Sequence, residues 1–287
     1  MKQLKLFIEL IRLKKPIGYM LLFWPCAWGL TLAYDFSKHL IIYFFYLILF
    51  FLGAVLMRSA GCIVNDILDK EFDKKVFRTK DRPIASGQIS VKLGIIYVLV
   101  LCLSALLVLL NFNTITIILA LGSMPLAFTY PLMKRFTYWP QLFLGITFNY
   151  GLLLGWTSIN SSLDILPILF YIGAIFWTLG YDTIYGFQDI KDDEIIGLKS
   201  TSIKFKKKPL IFLTACYVVL FSMIITTGIM ENFNIFYSAF GLIIGYHLFF
   251  YQLKNVDLDN PMNCLKVFKS NNFFGFLVFV QILISKI

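Results

Sequence analysis

Asn65-Asp66-Ile67-Leu68-Asp69-Lys70-Glu71-Phe72-Asp73 follows directly on an apolar run that begins near Leu40. A second acidic stretch, Tyr185-Gly186-Phe187-Gln188-Asp189-Ile190-Lys191-Asp192-Asp193, closes another apolar run and is preceded by Asp182. Positions 65, 69 and 73 stand at i, i+4 and i+8, and so do 185, 189 and 193. On a helix that spacing stacks side chains one turn above another along a single stripe. Carboxylates crowded at the ends of membrane helices are costly unless a cation holds them. From position 65 to position 185 the offset is 120 residues, or four apolar spans, which points to an internal repeat.

The surrounding sequence is lipid-compatible. Of 287 residues, 59% are hydrophobic and 15% charged, against about a quarter charged in soluble chains. Apolar runs of roughly 20 residues define a polytopic α-helical membrane protein. Nine spans are expected, at 17–34, 40–64, 91–110, 114–133, 139–158, 164–186, 209–230, 233–252 and 271–287. Residues 1–15 read as a basic interfacial segment. Neither a cleavable signal peptide nor a Ser/Arg-rich transit stretch is apparent at the start, which favours a bacterial inner membrane.

Charge sidedness tests this map. Of 26 Lys and Arg, 23 fall in the N-terminal segment, 66–92, 134–135, 187–208 and 253–270. All of these share one face if the N-terminus is cytoplasmic. Only Lys38 and Lys286 reach the other face, and Arg58 lies within the second span. Nine crossings put the C-terminus in the periplasm and both acidic stretches (65–92 and 187–208) at the cytoplasmic ends of spans two and six. The net charge of +10 therefore follows membrane topology and is no sign of nucleic-acid binding. Five scattered cysteines, none in a CxxC, read as small packing residues.

The expected architecture is all-α, a single membrane domain over 1–287: two pseudo-symmetric four-helix halves plus a ninth helix around a central cavity. Both acidic stripes would meet across that cavity. Oxygen ligands without His or Cys point to Mg²⁺, which normally takes one or two carboxylates plus phosphate oxygens. Metal ligation is expected from the stripe residues Asp69, Asp73, Asp189 and Asp193, and from Asp182. Arg78, Lys80, Arg82, Lys134 and Arg135 lie close by in sequence, as does Lys199, and Arg is suited to bidentate phosphate contacts. Arg58, seven residues before Asn65, shares its helix face from deeper in the membrane. A buried guanidinium needs an anion, either an aspartate of another helix or a substrate carboxylate. A diphosphate site open to the bilayer implies a lipid diphosphate and an allylic cation, which aromatic faces can stabilise. Tyr130, Tyr150, Trp177, Tyr181 and Tyr185 lie near the required end; only Tyr185 is on an acidic stripe.

These segments resemble the UbiA-type intramembrane prenyltransferases. The resemblance runs from Arg12-Leu13-Lys14-Lys15-Pro16-Ile17-Gly18 through Leu22-Phe23-Trp24-Pro25 with Trp28 to Arg58-Ser59-Ala60-Gly61-Cys62-Ile63-Val64-Asn65-Asp66. It continues through Arg78-Thr79, Arg82-Pro83, Ser86-Gly87, Tyr130-Pro131-Leu132-Met133-Lys134-Arg135 and Pro140-Gln141. Tyr181-Asp182-Thr183-Ile184-Tyr185 and Gly197-Leu198-Lys199-Ser200-Thr201 complete it. The Arg-Ser-Ala-Gly-Cys and Tyr-Asp-Thr contexts favour the branch acting on 4-hydroxybenzoate in ubiquinone biosynthesis. The resemblance implies a nine-helix fold, Mg²⁺ dependence, and transfer of a polyprenyl group from its diphosphate to the ring carbon ortho to the phenol. It assigns Asn65, Asp66, Asp69, Asp73, Asp189 and Asp193 to Mg²⁺-diphosphate and gives Arg135 a catalytic role, with Asp189 or Asp193 as acceptor of the ring proton. Ser202-Ile203-Lys204-Phe205-Lys206-Lys207-Lys208 departs from it, lacking the small Gly-containing turn usual there.

Two rivals stand beside this reading. A secondary transporter would share repeat symmetry and intramembrane charge, but its site would lie near the midplane, whereas these acids crowd one face. A sister prenyltransferase would take a naphthoate, homogentisate or haem as acceptor.

Overall fold

In a computed structural model, which describes residues 2–76 and 79–287, the chain is helical, and no strand occurs among the described residues. A short amphipathic helix α1 (Lys2–Leu10) precedes α2 (Ile17–Ala33) and α3 (Leu40–Leu68), and a short α4 (Lys70–Asp73) follows. Next come α5 (Val91–Leu109), α6 (Thr114–Thr129), a 3₁₀ turn (Tyr130–Leu132) and α7 (Met133–Phe136). The second half holds α8 (Pro140–Asn160), α9 (Ile165–Gly186), α10 (Ile190–Ile195), α11 (Thr201–Lys204), α12 (Pro209–Met230) and α13 (Ile235–Gly245). α13 widens into a π-helical stretch, Tyr246–Lys254, and α14 (Pro261–Lys286) ends the chain.

Eight of these segments are long and apolar enough to cross a bilayer. The ninth apolar helix, α2, has 17 residues, about 26 Å of rise. It is apolar all round and lies inside the bundle, with Leu21, Ala27, Trp28 and Leu30 almost wholly buried. Lipid-facing Leu, Ile and Phe instead cover α3 and α5, where Ile41, Phe44, Ile48, Leu99 and Leu103 are exposed.

The packing repeats as the sequence does. α3 lies against α5 as α9 lies against α12, and α2 against α3 as α8 against α9. The two halves meet chiefly along α2 and α8. There Gly29 and Gly155 let the backbones touch: a Cβ on Gly29 would stand 2.0 Å from the Leu152 carbonyl oxygen, and one on Gly155 2.3 Å from that of Cys26. Small residues permit such an approach where no hydrophobic force drives helices together. Gly29→Val should therefore lower the melting temperature in detergent, with overpacking costing about 1–3 kcal/mol or more. An unchanged melting temperature would mean that the halves do not meet along this line.

α14 differs from the expected ninth span, starting at Pro261 rather than at residue 271. Lys266, Lys269, Ser270, Asn271 and Asn272 suppress hydropathy there. Within the bundle, however, Asn271 accepts from Trp177 Nε1 (2.7 Å) and Gln252 Nε2 (3.0 Å), and Asn272 accepts from Trp24 Nε1 (2.9 Å). Satisfied amides no longer penalise burial. Pro261 opens the helix, and Asn260 caps it by accepting from the backbone of Met262 and Asn263. All five cysteines are free and four are buried.

Candidate active site

The acidic stripes are not continuous helix. α3 ends at Leu68, and Asp69 turns the chain (φ −94°, ψ 4°) into α4. α9 ends at Gly186, and Asp189 (φ −115°, ψ 9°) leads into α10. In the first stripe the i to i+4 register survives, with Asp69 N–H bonded to Asn65 O (2.9 Å) and Asp73 N–H to Asp69 O (2.8 Å); in the second, Asp193 N–H keeps it to Asp189 O (2.9 Å), but Asp189 N–H bonds Gly186 O (3.4 Å) instead of Tyr185 O. Both halves thus bend at the same aspartate.

Between the bends lies a polar cavity of about 260 Å³. From the first half it is lined by Asn65, Asp69, Asp73, Thr79 and Arg82, and from the second by Asp182, Tyr185, Asp189 and Asp193. Tyr130, Lys134, Gln141, Lys199 and Ser200 complete its wall. Asp69 is 2% exposed and Asp73 7%. Burial pushes the Asp73 carboxyl up, and the neighbouring Arg82 opposes that shift. Lys134 Nζ donates to Asp69 Oδ2, whereas Asp69 Oδ1 is buried without a hydrogen bond. Arg82 Nη1 donates to Asp73 Oδ2 (2.8 Å).

Several expected residues sit elsewhere. Asp66 does not line the cavity; it is 1% exposed, and its Oδ1 accepts from Arg12 (2.6 Å) and Arg82 (3.2 Å). Arg135 lies behind the wall, donating from Nη2 to Leu68 O (2.7 Å), with its guanidinium over the Phe72 ring (5.1 Å) and 3.7 Å from Asp69 Oδ1. It caps the C-terminus of α3, where a cation also favours the helix dipole. Arg78 lies outside the described residues.

The segment after the second cluster is strapped in place. Lys199 N–H bonds to Lys134 O (2.9 Å), and its Nζ donates to Phe136 O (3.1 Å). Thr201 N–H bonds to Gln141 Oε1 (3.0 Å), and Ser202 Oγ donates to Thr183 O (2.8 Å). Where a glycine turn was missing from the sequence, α11 and the turn to Lys208 make the connection to Pro209. Arg12, Gln141, Thr79 and Ser200 were given no role from sequence. All four fall within the segments that carry the family resemblance, which is the available signal.

A second, apolar cavity of about 210 Å³ lies beside α3, α5, α6 and α8. Leu49, Phe50, Met57, Leu106, Phe112 and Met124 line it. Tyr130 belongs to both cavities. Arg58 stands near this junction, its guanidinium 5.5 Å from the Phe148 ring centre. Asp182 is near enough for the two charges to interact, yet no ion pair joins Arg58 to any acid among the described residues.

Oxygen donors on both walls and the orphaned Asp69 Oδ1 suit a hard cation. Among the described residues no three acidic, His or Cys side chains gather tightly enough to cage an ion alone. Such an ion would need substrate oxygens to complete its shell, as Mg²⁺ normally does.

The chain is 42% identical over its full length to a bovine (Bos taurus) protein named 4-hydroxybenzoate polyprenyltransferase, mitochondrial, covering 76% of that protein. It is 41% identical to the human protein of the same name, again over all of this chain and 76% of the relative. Among solved structures it resembles a UbiA homolog from Aeropyrum pernix K1, with a TM-score of 0.78 and 21% identity over 94% of this chain and 99% of that one. It also resembles a UbiA homolog from Archaeoglobus fulgidus bound to GPP and Mg²⁺, with a TM-score of 0.73 and 18% identity over 96% and 99% of the two chains. At those identities the structural likeness is one of fold. A profile described as the UbiA prenyltransferase family matches residues 22–278, and with relatives this similar along the whole chain, the protein belongs to the UbiA prenyltransferase family.

Proposed function

We propose that this protein transfers a polyprenyl group from polyprenyl diphosphate to the ring carbon ortho to the hydroxyl of 4-hydroxybenzoate, releasing diphosphate. The observation that carries the reading is the meeting of two cavities at Tyr130: one walled by carboxylates and cations, the other apolar and beside lipid-facing helices. A charged head and a hydrocarbon tail fit such a pair. The names of the 4-hydroxybenzoate relatives support the acceptor.

Lys134, Lys199 and Arg82 would bind the diphosphate oxygens. Asn65, Asp69, Asp73, Asp189 and Asp193 would hold Mg²⁺, and Asp182 stands behind them. When bound, Mg²⁺ neutralises charge building on the departing diphosphate. Leu49, Phe50 and Phe112 orient the tail toward lipid. The C1–O bond of the donor breaks and leaves an allylic cation facing Tyr130, and the apolar wall excludes water that would trap it. Arg58 is proposed to pair with the benzoate carboxylate. The ring carbon then forms the new C–C bond, and its proton passes to Asp189 or Asp193.

The whole chain acts as one membrane domain in this reading. We propose a bacterial inner membrane, with the N-terminus cytoplasmic and the C-terminus periplasmic. The sidedness of 23 basic residues supports the orientation, and the relatives named above are mitochondrial. The test is to incubate purified protein with polyprenyl diphosphate, Mg²⁺ and labelled 4-hydroxybenzoate against naphthoate and homogentisate. Mass spectrometry should find prenylated 4-hydroxybenzoate, and chelation with EDTA should lower its formation by at least about 10²-fold. Product on another acceptor alone, or full turnover in EDTA, would overturn the proposal.

A further inference from the structure

Asp66 is the most deeply buried acid of the first cluster, yet it faces away from the cavity. One of its oxygens accepts from two guanidiniums, Arg12 at 2.6 Å and Arg82 at 3.2 Å. Arg82 reaches Asp73 through the same nitrogen and also lines the cavity. The four side chains form a neutral quartet of two arginines and two aspartates.

Arg12 is delivered to this quartet deliberately. It adopts a left-handed conformation (φ 54°) that a non-glycine residue holds only when its surroundings fix it. What fixes it is the preceding helix: Leu10 and Ile11 are buried in a second core with Ala60, Ile63, Ile84 and Ile89, and Phe7 packs edge-on against Tyr97 (4.8 Å). Arg12 N–H closes the turn on Glu9 O (3.0 Å). Helix α1 is thereby locked to the helix that bears the first cluster and to the turn that follows Arg82.

We propose that Asp66 is a positioning residue rather than a metal ligand: together with Arg12 it holds Arg82 over the diphosphate site. The proposal rests on the diphosphate reading above. A cation bound by Asp73 draws charge from its carboxylate and weakens its hold on Arg82. Once Asp73 turns to a cation, Asp66 is the partner that keeps Arg82 in place. Arg12 prevents Asp66 from following, because its bond to the same Oδ1 anchors that buried carboxylate. The remaining N–H groups of Arg82 are then held toward the substrate phosphates.

Two binding measurements on purified full-length protein separate this role from metal ligation: Mn²⁺ binding by electron paramagnetic resonance, and inorganic diphosphate binding by calorimetry at saturating Mg²⁺. For Asp66→Asn the expected results are a Mn²⁺ Kd within about twofold of the parent and a diphosphate Kd raised about tenfold, as for one misplaced charge-assisted phosphate contact. In turnover the KM for the prenyl diphosphate should rise while that for 4-hydroxybenzoate stays, a split that general loosening of the fold would not produce. Arg12→Gln should match it, Arg12→Lys should recover part of the loss, and the double variant should be no worse than either single change. Arg12→Gln carries the same expectations alone if Asp66→Asn does not fold. A tenfold weaker Mn²⁺ affinity in Asp66→Asn, an unchanged diphosphate affinity, or additive losses would overturn the proposal. A parent protein that bound neither Mn²⁺ nor diphosphate would instead remove the proposed function, and this role with it.

Discussion

Asp69→Ala and Asp189→Ala are each expected to reduce kcat by at least about 10³-fold, since removing one preorganised group at a developing charge costs about 10²–10³ and a lost metal ligand adds to that. The two residues stand at equivalent bends of the two halves, one ending α3 and the other introducing α10. Both line the same cavity. Asp69 is the more exacting case. It is almost wholly buried, holds Lys134 through one oxygen and leaves the other without a hydrogen bond, 3.7 Å from Arg135. Alanine there also strands the Lys134 ammonium, so Asp69→Asn is the companion variant that keeps shape while removing charge. Asp69→Asn and Asp189→Ala should melt near the parent temperature in detergent yet fail in single turnover with excess Mg²⁺. Substantial activity in either alanine variant would remove the idea that the two clusters act as one clamp.

Arg58→Ala should cut kcat/KM for 4-hydroxybenzoate by about 10–150-fold, the equivalent of losing a charge-assisted hydrogen bond worth about 1.5–3 kcal/mol. The donor's KM should hardly move. The expectation comes from position: Arg58 lies one to two helical turns deeper than Asn65, at the junction of the cavities, with an aromatic face against its guanidinium and no ion pair among the described residues. A cation so placed is costly unless a ligand completes it. Arg58→Lys tests the geometry, because a point charge cannot reproduce a planar two-donor contact. The uncharged analogue 4-hydroxybenzamide provides the reverse test. It should be a poor acceptor for the parent and lose little further in Arg58→Ala. Equal losses for acid and amide would place Arg58 on the diphosphate instead.

Much of this could be read before any coordinates. Residues 40–68 and 165–186 are apolar enough that only a membrane-spanning helix suits them, because every backbone polar group must be satisfied internally in lipid. The recurrence of one acidic beat after spans two and six fixed the repeat, and the packing of α3 on α5 and α9 on α12 follows it. Hydropathy failed where burial depended on partners rather than on residue type. The start of α14 was missed because Asn271 and Asn272 look polar in isolation and are satisfied only once Trp177, Gln252 and Trp24 surround them.

The acidic beat determined that two sets of carboxylates converge, because side-chain spacing is a local property of the chain. It did not determine which of those carboxylates face the cavity. Asp66 and Asp69 are the same residue type three positions apart, and the fold turns one toward Arg12 and the other toward Lys134. Likewise Arg135 stands beside Lys134 in sequence but caps α3 from behind the wall, while Arg12, 54 positions before Asp66, reaches that aspartate. A charge's partner is set by distance through space, and only the packing of α1 and the bends at Asp69 and Asp189 set those distances.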